Sequence, residues 1–289
     1  MKRPRGITLA EVIVLVVIGA VLLSAAVVAI QQARVKSRRQ LCAQRLKTLG
    51  MGLANYRQRH GDLFPFGTVV NEELPPERRL SWYVGTWPFI AEGAKLALKG
   101  AQAELLLDLE GPWDSPPNLA PKIKKVGGPG GPRFVTSDLA AVPDWICPAS
   151  SQRTTPEGLG IASYLGIAGI GPGAAELPPG DRMAGIWGYD RQTPIHRITD
   201  GLEPTLLLAE TARDVGPWTA GGPATVRGVE LNRPPMLGKD GQLGGLHPGG
   251  GNVLFANGNT AFLSAAIDPH VLAAMTTIAG APEDEPEPP

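Results

Sequence analysis

The hydrophobic pattern divides the chain into one long apolar stretch and a larger region of short apolar runs. Between Val12 and Ile30 the chain has nineteen uncharged residues, of which only Gly19 and Ser24 are not aliphatic. Counted from Ile7, the segment would reach about 36 Å as a helix, which is enough to cross a hydrocarbon core of about 30 Å. The stretch therefore predicts a transmembrane helix.

The helical period continues beyond the apolar stretch. Apolar residues spaced four, three, four and three positions apart form one stripe on an otherwise basic helix. They are Cys42, Leu46, Leu49, Leu53 and Tyr56. Gly61 follows as a left-handed cap. We predict one helix over residues 7–61, in which 7–30 spans a membrane and 31–61 packs against a domain.

The rest of the chain predicts one loop-rich domain over residues 62–279. The 37 glycines and 29 prolines argue for turns rather than for a helical bundle. Short apolar runs bounded by turn residues predict strands over 162–168, 205–209 and 224–231, whereas 92–109 has helical character. The expected fold class is α+β, with the long helix packed on an antiparallel sheet.

The end of the chain gives the clearest local prediction. Asn257-Gly258 lies between two apolar arms over residues 252–263, and this dipeptide is preferred in a type I′ hairpin turn. Asp268 then caps a short helix that begins at Pro269 and runs to residue 278. Residues 280–289 are acidic and proline-rich, which predicts a disordered tail.

Composition and motifs do not point to catalysis. The formal net charge is zero, so no bulk attraction to nucleic acid is expected. The four histidines, His60, His196, His247 and His270, lack the spacing of a metal site, and no nucleophile motif is present. We expect no enzyme, no cofactor and no metal. His247, beside a Pro-Gly-Gly-Gly run, is the one candidate ligand or catalyst, and the competing role is a hydrogen bond that stabilises a turn.

Glu11 is unusual because it lies inside the apolar segment. It could simply favour the positive end of the helix dipole near the helix start. Alternatively, cleavage after Gly6 would free an amine on Ile7, one helical turn before Glu11. This pattern resembles the type IV prepilin signal, in which a peptidase cuts after Gly and methylates the new terminus. The resemblance implies that residues 1–6 are a leader, Gly6 the cleavage residue, Ile7 the methylated residue and Glu11 the assembly residue. An uncleaved anchor is the alternative.

Both flanks of the apolar segment are basic, so the positive-inside rule alone does not orient it. A prepilin leader must remain cytoplasmic to be cut, and the resemblance therefore implies a single-pass inner-membrane protein with an extracytoplasmic domain.

A narrower resemblance covers nearly the whole chain. The sequence is similar to a bacterial family of pilin-like proteins whose C-terminal domain has no assigned function, and short segments match it in the same order. They are Gln32–Lys47, Leu53–Tyr56, Leu80–Trp82, Trp113–Pro116, Cys147-Pro148, Ser163–Gly166, Ile198–Gly201 and His247–Leu263. The family usually has His, nine residues and Asp-Gly, and here His247 is followed by Asn257-Gly258.

The chain has two cysteines, Cys42 and Cys147. Cys42 begins the apolar stripe and Cys147 follows an apolar segment, and an extracytoplasmic setting permits oxidation. A disulfide between them is expected, and two unpaired buried thiols are the alternative.

These patterns favour a structural pilin or pseudopilin-like subunit. Its expected partners are prepilin peptidase, other pilin-like subunits and membrane lipid. The competing function is a membrane-anchored, extracytoplasmic ligand-binding protein that uses a prepilin-type anchor.

Overall fold

The computed structural model describes residues 9–94, 102–120, 122–126, 133–135 and 142–280. The predicted leader with Gly6 and Ile7, and the tail after residue 280, lie outside the described residues. One long helix, α1 (Leu9–Arg59), begins the described chain. Its end matches the sequence prediction, because Gly61 has a φ of +64° and the N–H of Asp62 donates to Arg57 O at 2.9 Å.

Helix α1 has two halves with different surroundings. Residues 9–38 are exposed, whereas the predicted stripe from Cys42 to Tyr56 is buried. Gly52 permits the closest approach to the domain, since a Cβ at this position would lie 2.7 Å from Ile90 Cα. The second half of α1 is therefore part of the hydrophobic core, and the first half projects away from it.

The main sheet has five strands: β4 (Tyr164–Ile170), β5 (Leu206–Glu210), β6 (Val226–Val229), β7 (Gly250–Phe255) and β8 (Thr260–Ser264). Their order is β6-β4-β5-β7-β8, and α1 packs against β7 and β8. The prediction of an antiparallel sheet is wrong at one pair, because β4 and β6 run parallel. The fold class is α+β with a mixed sheet.

The helical character expected over residues 92–109 is found at its start, where residues 92–94 end a helix, and is wrong over residues 102–106, which belong to a second sheet. This sheet consists of β1 (Gln102–Leu106), β2 (Lys122–Val126) and β3 (Arg133–Val135), paired antiparallel in that order. The short helices α2 (Trp82–Gly85) and α3 (Trp87–Ala94) precede the sheet in sequence, and α4 (Pro116–Leu119) lies between β1 and β2. Leu105 and Leu107 both contact the core, and this spacing of two suits a strand rather than a helix.

Aromatic side chains fill the core between α1 and the sheets. Five tryptophans are at most 3% exposed: Trp82, Trp87, Trp145, Trp187 and Trp218. Several of the buried polar tips find backbone partners, as expected for Trp and Tyr, whereas Trp145 Nε1 has no hydrogen-bond partner among the described residues. Trp187 Nε1 donates to Leu207 O at 2.7 Å, and Tyr83 Oη donates to Tyr164 O at 2.8 Å.

The hairpin of β7 and β8 forms where the sequence predicts it, but its turn is of another type. A type I′ turn needs positive φ at both central residues, and of the pair only Gly258 has it, at +84°. Gly258 N–H donates to Phe255 O and Phe255 N–H to Asn259 O, which closes a three-residue loop. The N–H groups of Ala256 and Asn257 bind carbonyls of Thr205 and Leu202, and these contacts set the turn.

A short helix, α5 (Pro269–Ala274), follows the hairpin. Its predicted cap is confirmed, because the Asp268 carboxylate accepts hydrogen bonds from the N–H groups of His270 and Val271. The helix ends four residues before the predicted residue 278, and Ile278 is instead buried in the core.

Candidate functional site

The structure separates the predicted site residues into distinct regions. Gly6 and Ile7 lie outside the described residues, and Glu11 lies in the first turn of α1, within its exposed half. Glu11 and Cys42 are 31 residues apart on one helix, a distance of about 46 Å. The proposed assembly residue is therefore remote from the cysteines and from His247.

Cys42 and Cys147 form a disulfide that joins α1 to the segment before β4. Their Cα atoms are 5.4 Å apart, and both residues are 0% exposed. The link closes a loop over a sequence separation of 105 residues. Trp145 and Ile146, both buried, bring Cys147 to α1.

His247 lies against this pair of sulfurs. Its Nε2 is 3.3 Å from Cys147 Sγ, and the residue is 4% exposed. His247 precedes β7 and pairs with Gly250 in an isolated bridge, with Gly249 at a φ of +83° between them. The glycine run therefore lets the chain bend back so that the imidazole points into the core.

Glu210 completes the group, and sequence reasoning missed it. It ends β5 after four buried apolar residues and is itself 0% exposed. Its Oε2 accepts a hydrogen bond from Asn252 Nδ2 at 3.0 Å and lies 3.6 Å from His247 Nε2. Its Oε1 is buried with no hydrogen-bond partner among the described residues. The sequence does contain one signal for Glu210: it is the next residue after an apolar run that predicts a buried strand.

Burial controls the charge of both groups. Burial raises the pKa of Glu210 to about 7, and the hydrogen bonds from Asn252 oppose that rise. Burial, with the charge of Arg39, lowers the pKa of His247 to about 4. The imidazole is therefore neutral at pH 7, and the 3.6 Å contact with Glu210 is not an ion pair at that pH.

The ligand atoms of Cys42, Cys147, Glu210 and His247 all lie within 4.8 Å of one another. Two further donors contact the sulfurs: the Ala149 N–H lies 3.4 Å from Cys147 Sγ, and Tyr164 Oη lies 3.5 Å from Cys42 Sγ. We call Cys42, Cys147, His247 and Glu210 the Cys-His-Glu cluster. Its chemistry depends on oxidation state, because a disulfide offers no thiolate and two thiols offer two.

A cavity of about 590 Å³ adjoins the cluster. The exposed face of α1 lines one side, including Gln32, Val35 and Arg39, and His247 and Pro248 line the other. His247 is thus the cluster member that lines this cavity, although its side chain is buried.

The second half of the family motif lies elsewhere. Asn257 and Gly258 are at the far end of β7 from His247, about 20 Å along the strand. Asn257 Oδ1 accepts from Asn259 N–H at 2.9 Å, and Gly258 O accepts from Lys47 Nζ at 2.7 Å. The first contact lies within the turn and the second joins the turn to α1, so both residues have structural roles.

Comparison with known proteins identifies the family of the chain. A family model described as "Protein of unknown function (DUF1559)" matches residues 31–232. This range includes Cys42, Cys147 and Glu210 and ends before His247. Searches of curated proteins and of solved structures found no match. Since the family model covers more than half of the chain, the protein belongs to the family described as "Protein of unknown function (DUF1559)".

Proposed function

We propose that the protein is a structural, pilin-like subunit that prepilin peptidase processes and that α1 anchors in the inner membrane. The observation that carries the proposal is the division of α1 into an apolar, exposed half and a half buried in a domain. Membership of a family typically composed of prepilin-like proteins also supports it. The proposal gives the domain a structural role rather than a catalytic one.

The exposed half of α1 needs a nonaqueous environment. Among the described residues, α1 is the helix long and apolar enough to cross a membrane. Large aliphatic side chains on all its faces are exposed, from Val12 at 44% to Leu9 at 77%. An apolar surface of this extent needs to be covered, either by the lipid of a membrane or by neighbouring helices.

The length of the projecting half suits a span followed by a stalk. Residues 9–38 would extend about 45 Å, whereas a hydrocarbon core measures about 30 Å. The remaining length carries Arg34, Lys36 and Arg38, all exposed. Basic side chains at this level suit phospholipid headgroups, so the domain would sit above the bilayer surface.

Glu11 gives the proposal its assembly step. After cleavage at Gly6, the new amine of Ile7 would be a cation in or near the apolar region. A carboxylate on an adjacent copy of α1 would neutralise it, and each charge would lower the cost of the other in lipid. The partners of this model are other pilin-like subunits and membrane lipid.

Processing is tested by N-terminal mass spectrometry of the protein expressed with and without prepilin peptidase. We expect a mature chain that begins at Ile7 and carries a methyl group, and we expect Gly6→Val to retain the leader. Gly19→Val is the matched control, because a Cβ at Gly19 has no neighbour within 4 Å. An intact leader on membrane-inserted wild-type protein, in the presence of active peptidase, contradicts the proposal.

Assembly is tested separately by imaging surface filaments that contain the tagged chain. Glu11→Ala should be cleaved normally but should not enter filaments. Ser24→Ala is the control, since Ser24 is the other polar side chain between Leu9 and Ile30 and donates only to Val21 O among the described contacts. Normal incorporation of Glu11→Ala would refute the assembly role. A processed wild-type chain that remains solitary would favour the anchored ligand-binding alternative.

A further inference from the structure

We infer that the Cys-His-Glu cluster binds one Zn²⁺ ion when the disulfide is reduced, with Cys42, Cys147, His247 and Glu210 as its four ligands. This inference does not depend on the proposed pilin-like role. It rests on the types of the four side chains, their convergence and the buried oxygen that has no partner.

The residue types select the metal. Two thiolates and an imidazole suit a borderline-soft ion, and a carboxylate can supply a fourth ligand in a tetrahedral zinc site. Calcium and magnesium prefer sites made of oxygen ligands, so the sulfur and nitrogen atoms here disfavour them. All four residues are buried, and four protein ligands would close the coordination sphere as in a structural site.

The distances around His247 are close to those of a zinc site. With zinc-to-ligand bonds of ordinary length, a tetrahedron places N and S about 3.6 Å apart and N and O about 3.4 Å apart. His247 Nε2 lies 3.3 Å from Cys147 Sγ and 3.6 Å from Glu210 Oε2. Shifts of a few tenths of an ångström would bring these two distances to the tetrahedral values, and every other pair of ligand atoms in the cluster lies within 4.8 Å.

Glu210 provides an independent observation. It is 0% exposed, and its Oε1 has no hydrogen-bond partner among the described residues. A buried polar atom without a protein partner is costly, and in native proteins such an atom commonly binds a water or an ion. Asn252 Nδ2 donates to Oε2 at 3.0 Å and holds the carboxylate beside His247. A carboxylate oxygen has more than one acceptor site, so Oε2 can bind the ion as well, and Oε1 keeps its full capacity to accept.

Groups around the cluster suit the ligands. The Ala149 N–H and the Tyr164 O–H point at the sulfurs of Cys147 and Cys42, as donors to thiolates do in metal sites. Asn252 orients the carboxylate in the same way. The loaded site would carry a net charge of −1, and Arg39, whose charge acts on His247, would offset it.

The chemistry couples metal binding to reduction. An external dithiol transfers two electrons and two protons to the disulfide, giving two Cys thiols and the oxidised, disulfide form of the reductant. Zn²⁺ then displaces both thiol protons and any proton on Glu210, and His247 binds as neutral imidazole through Nε2. Oxidation of the two thiolates to the disulfide by an oxidised dithiol reverses the sequence and releases Zn²⁺.

In both states the cluster would hold α1 to the domain. Cys42 belongs to α1, Cys147 to the segment before β4, Glu210 to β5 and His247 to the segment before β7. The disulfide links two of these elements, and the zinc site would link all four. Reduction would therefore replace one cross-link by another instead of releasing the helix.

The test uses the full chain in detergent, in oxidised form and after anaerobic treatment with a phosphine reductant. Thiol labelling of unfolded samples verifies each state. After incubation with zinc and removal of free metal, mass spectrometry should find one zinc per reduced chain and none per oxidised chain. Cobalt(II) should give visible bands of a tetrahedral ion and thiolate-to-cobalt charge transfer in the near ultraviolet.

Variants identify the ligands. His247→Ala and Glu210→Gln should each weaken zinc binding to the reduced chain by more than about 100-fold, beyond the loss typical of an outer-shell partner. His196→Ala and Glu203→Gln, both at exposed positions, should bind as wild type does. Near-ultraviolet circular dichroism follows the fold of every sample.

The inference fails if the reduced wild-type chain binds no zinc, whether it remains folded or unfolds and zinc does not restore it. It also fails if His247→Ala binds zinc as wild type does, because the cysteines alone would then account for the metal. A cobalt spectrum without thiolate charge transfer would equally refute it.

Discussion

Substitution of Gly52 by alanine tests how closely α1 packs on the domain. Two effects oppose each other. Alanine is favoured over glycine in a helix interior by about 1 kcal/mol. The new Cβ, however, would lie 2.7 Å from both Ile90 Cα and Ile90 Cγ1 and 3.1 Å from Ile90 N. Since Cα and N are backbone atoms of α3, a rotamer change cannot remove the contact.

The magnitude of the clash decides the outcome. Carbon atoms pack best at about 3.5–4.0 Å, so α1 and α3 would have to separate by about 1 Å. Overpacking of this kind costs about 1–3 kcal/mol. We expect a cost in the upper part of this range, because the backbone of α1 or α3 must move. After the gain in helix propensity, we expect Gly52→Ala to destabilise the protein by about 1–2 kcal/mol.

Gly50→Ala is the matched control, because Gly50 lies in the same helix, two residues before Gly52. The nearest atoms to a Cβ at Gly50 would be the two methyl carbons of Leu254, at 3.0 and 3.1 Å, and these belong to a side chain rather than to the backbone. Helix propensity should then offset the packing cost, leaving stability within about 0.5 kcal/mol of wild type.

Denaturant unfolding of the full chain in detergent, followed by fluorescence of the buried tryptophans, measures both variants. Thermal unfolding should show the midpoint of Gly52→Ala lowered by roughly 3–6 °C. A Gly52→Ala protein as stable as wild type, with an unchanged denaturant slope, would refute the close approach between α1 and α3.

Two further predictions follow from the cluster and from the hairpin. The first concerns the disulfide-bonded, chelator-treated chain, in which the pKa of Glu210 is raised. Between pH 4.5 and about 7 the folded state keeps the proton on Glu210, whereas the unfolded state loses it. The free energy of unfolding should therefore fall as pH rises through this range. The lowered pKa of His247 has the opposite effect between about pH 4 and 6.5, since the unfolded state there binds the extra proton. Between pH 4.5 and 6.5 both groups act. His247→Ala leaves only the effect of Glu210, so its stability should fall as pH rises, whereas Glu210→Gln leaves only the effect of His247, so its stability should rise. Urea midpoints that change with pH in the same direction in both variants would contradict this. At the turn, Gly258→Val should cost about 1–3 kcal/mol because φ is positive, whereas Gly258→Asn should cost less; equal midpoints for the two variants would count against the turn geometry.

The sequence predicts those parts of the fold that depend on local periodicity. The stripe from Cys42 to Tyr56 is buried as expected because its spacing alone fixes one helix face. The hairpin follows from two apolar arms around a turn dipeptide. The turn type does not, because the N–H groups of Ala256 and Asn257 bind carbonyls that lie more than fifty residues earlier in the chain.

Features that depend on distant partners are not visible in the sequence. The leucine-rich segment around Leu105 has good helix formers, but pairing with β2 makes it a strand. The parallel pair of β4 and β6 lacks the crossover-helix pattern that normally signals it, because β5 lies between them in sequence. Glu210 joins the cluster only because β5 and β7 are neighbours, which brings it to Asn252 and His247.

The attachment of the domain to only the second half of α1 has a mechanical consequence. The projecting 30 residues act as a rod of about 45 Å, and transmembrane helices tilt by about 20° on average. In the proposed membrane anchor, tilting this rod by about 20° about its membrane end would move the domain sideways by roughly 15 Å and would lower its height above the bilayer by only about 3 Å. Helix tilt, set by lipid thickness and by neighbouring helices, would thus act as a lateral positioning device for the domain.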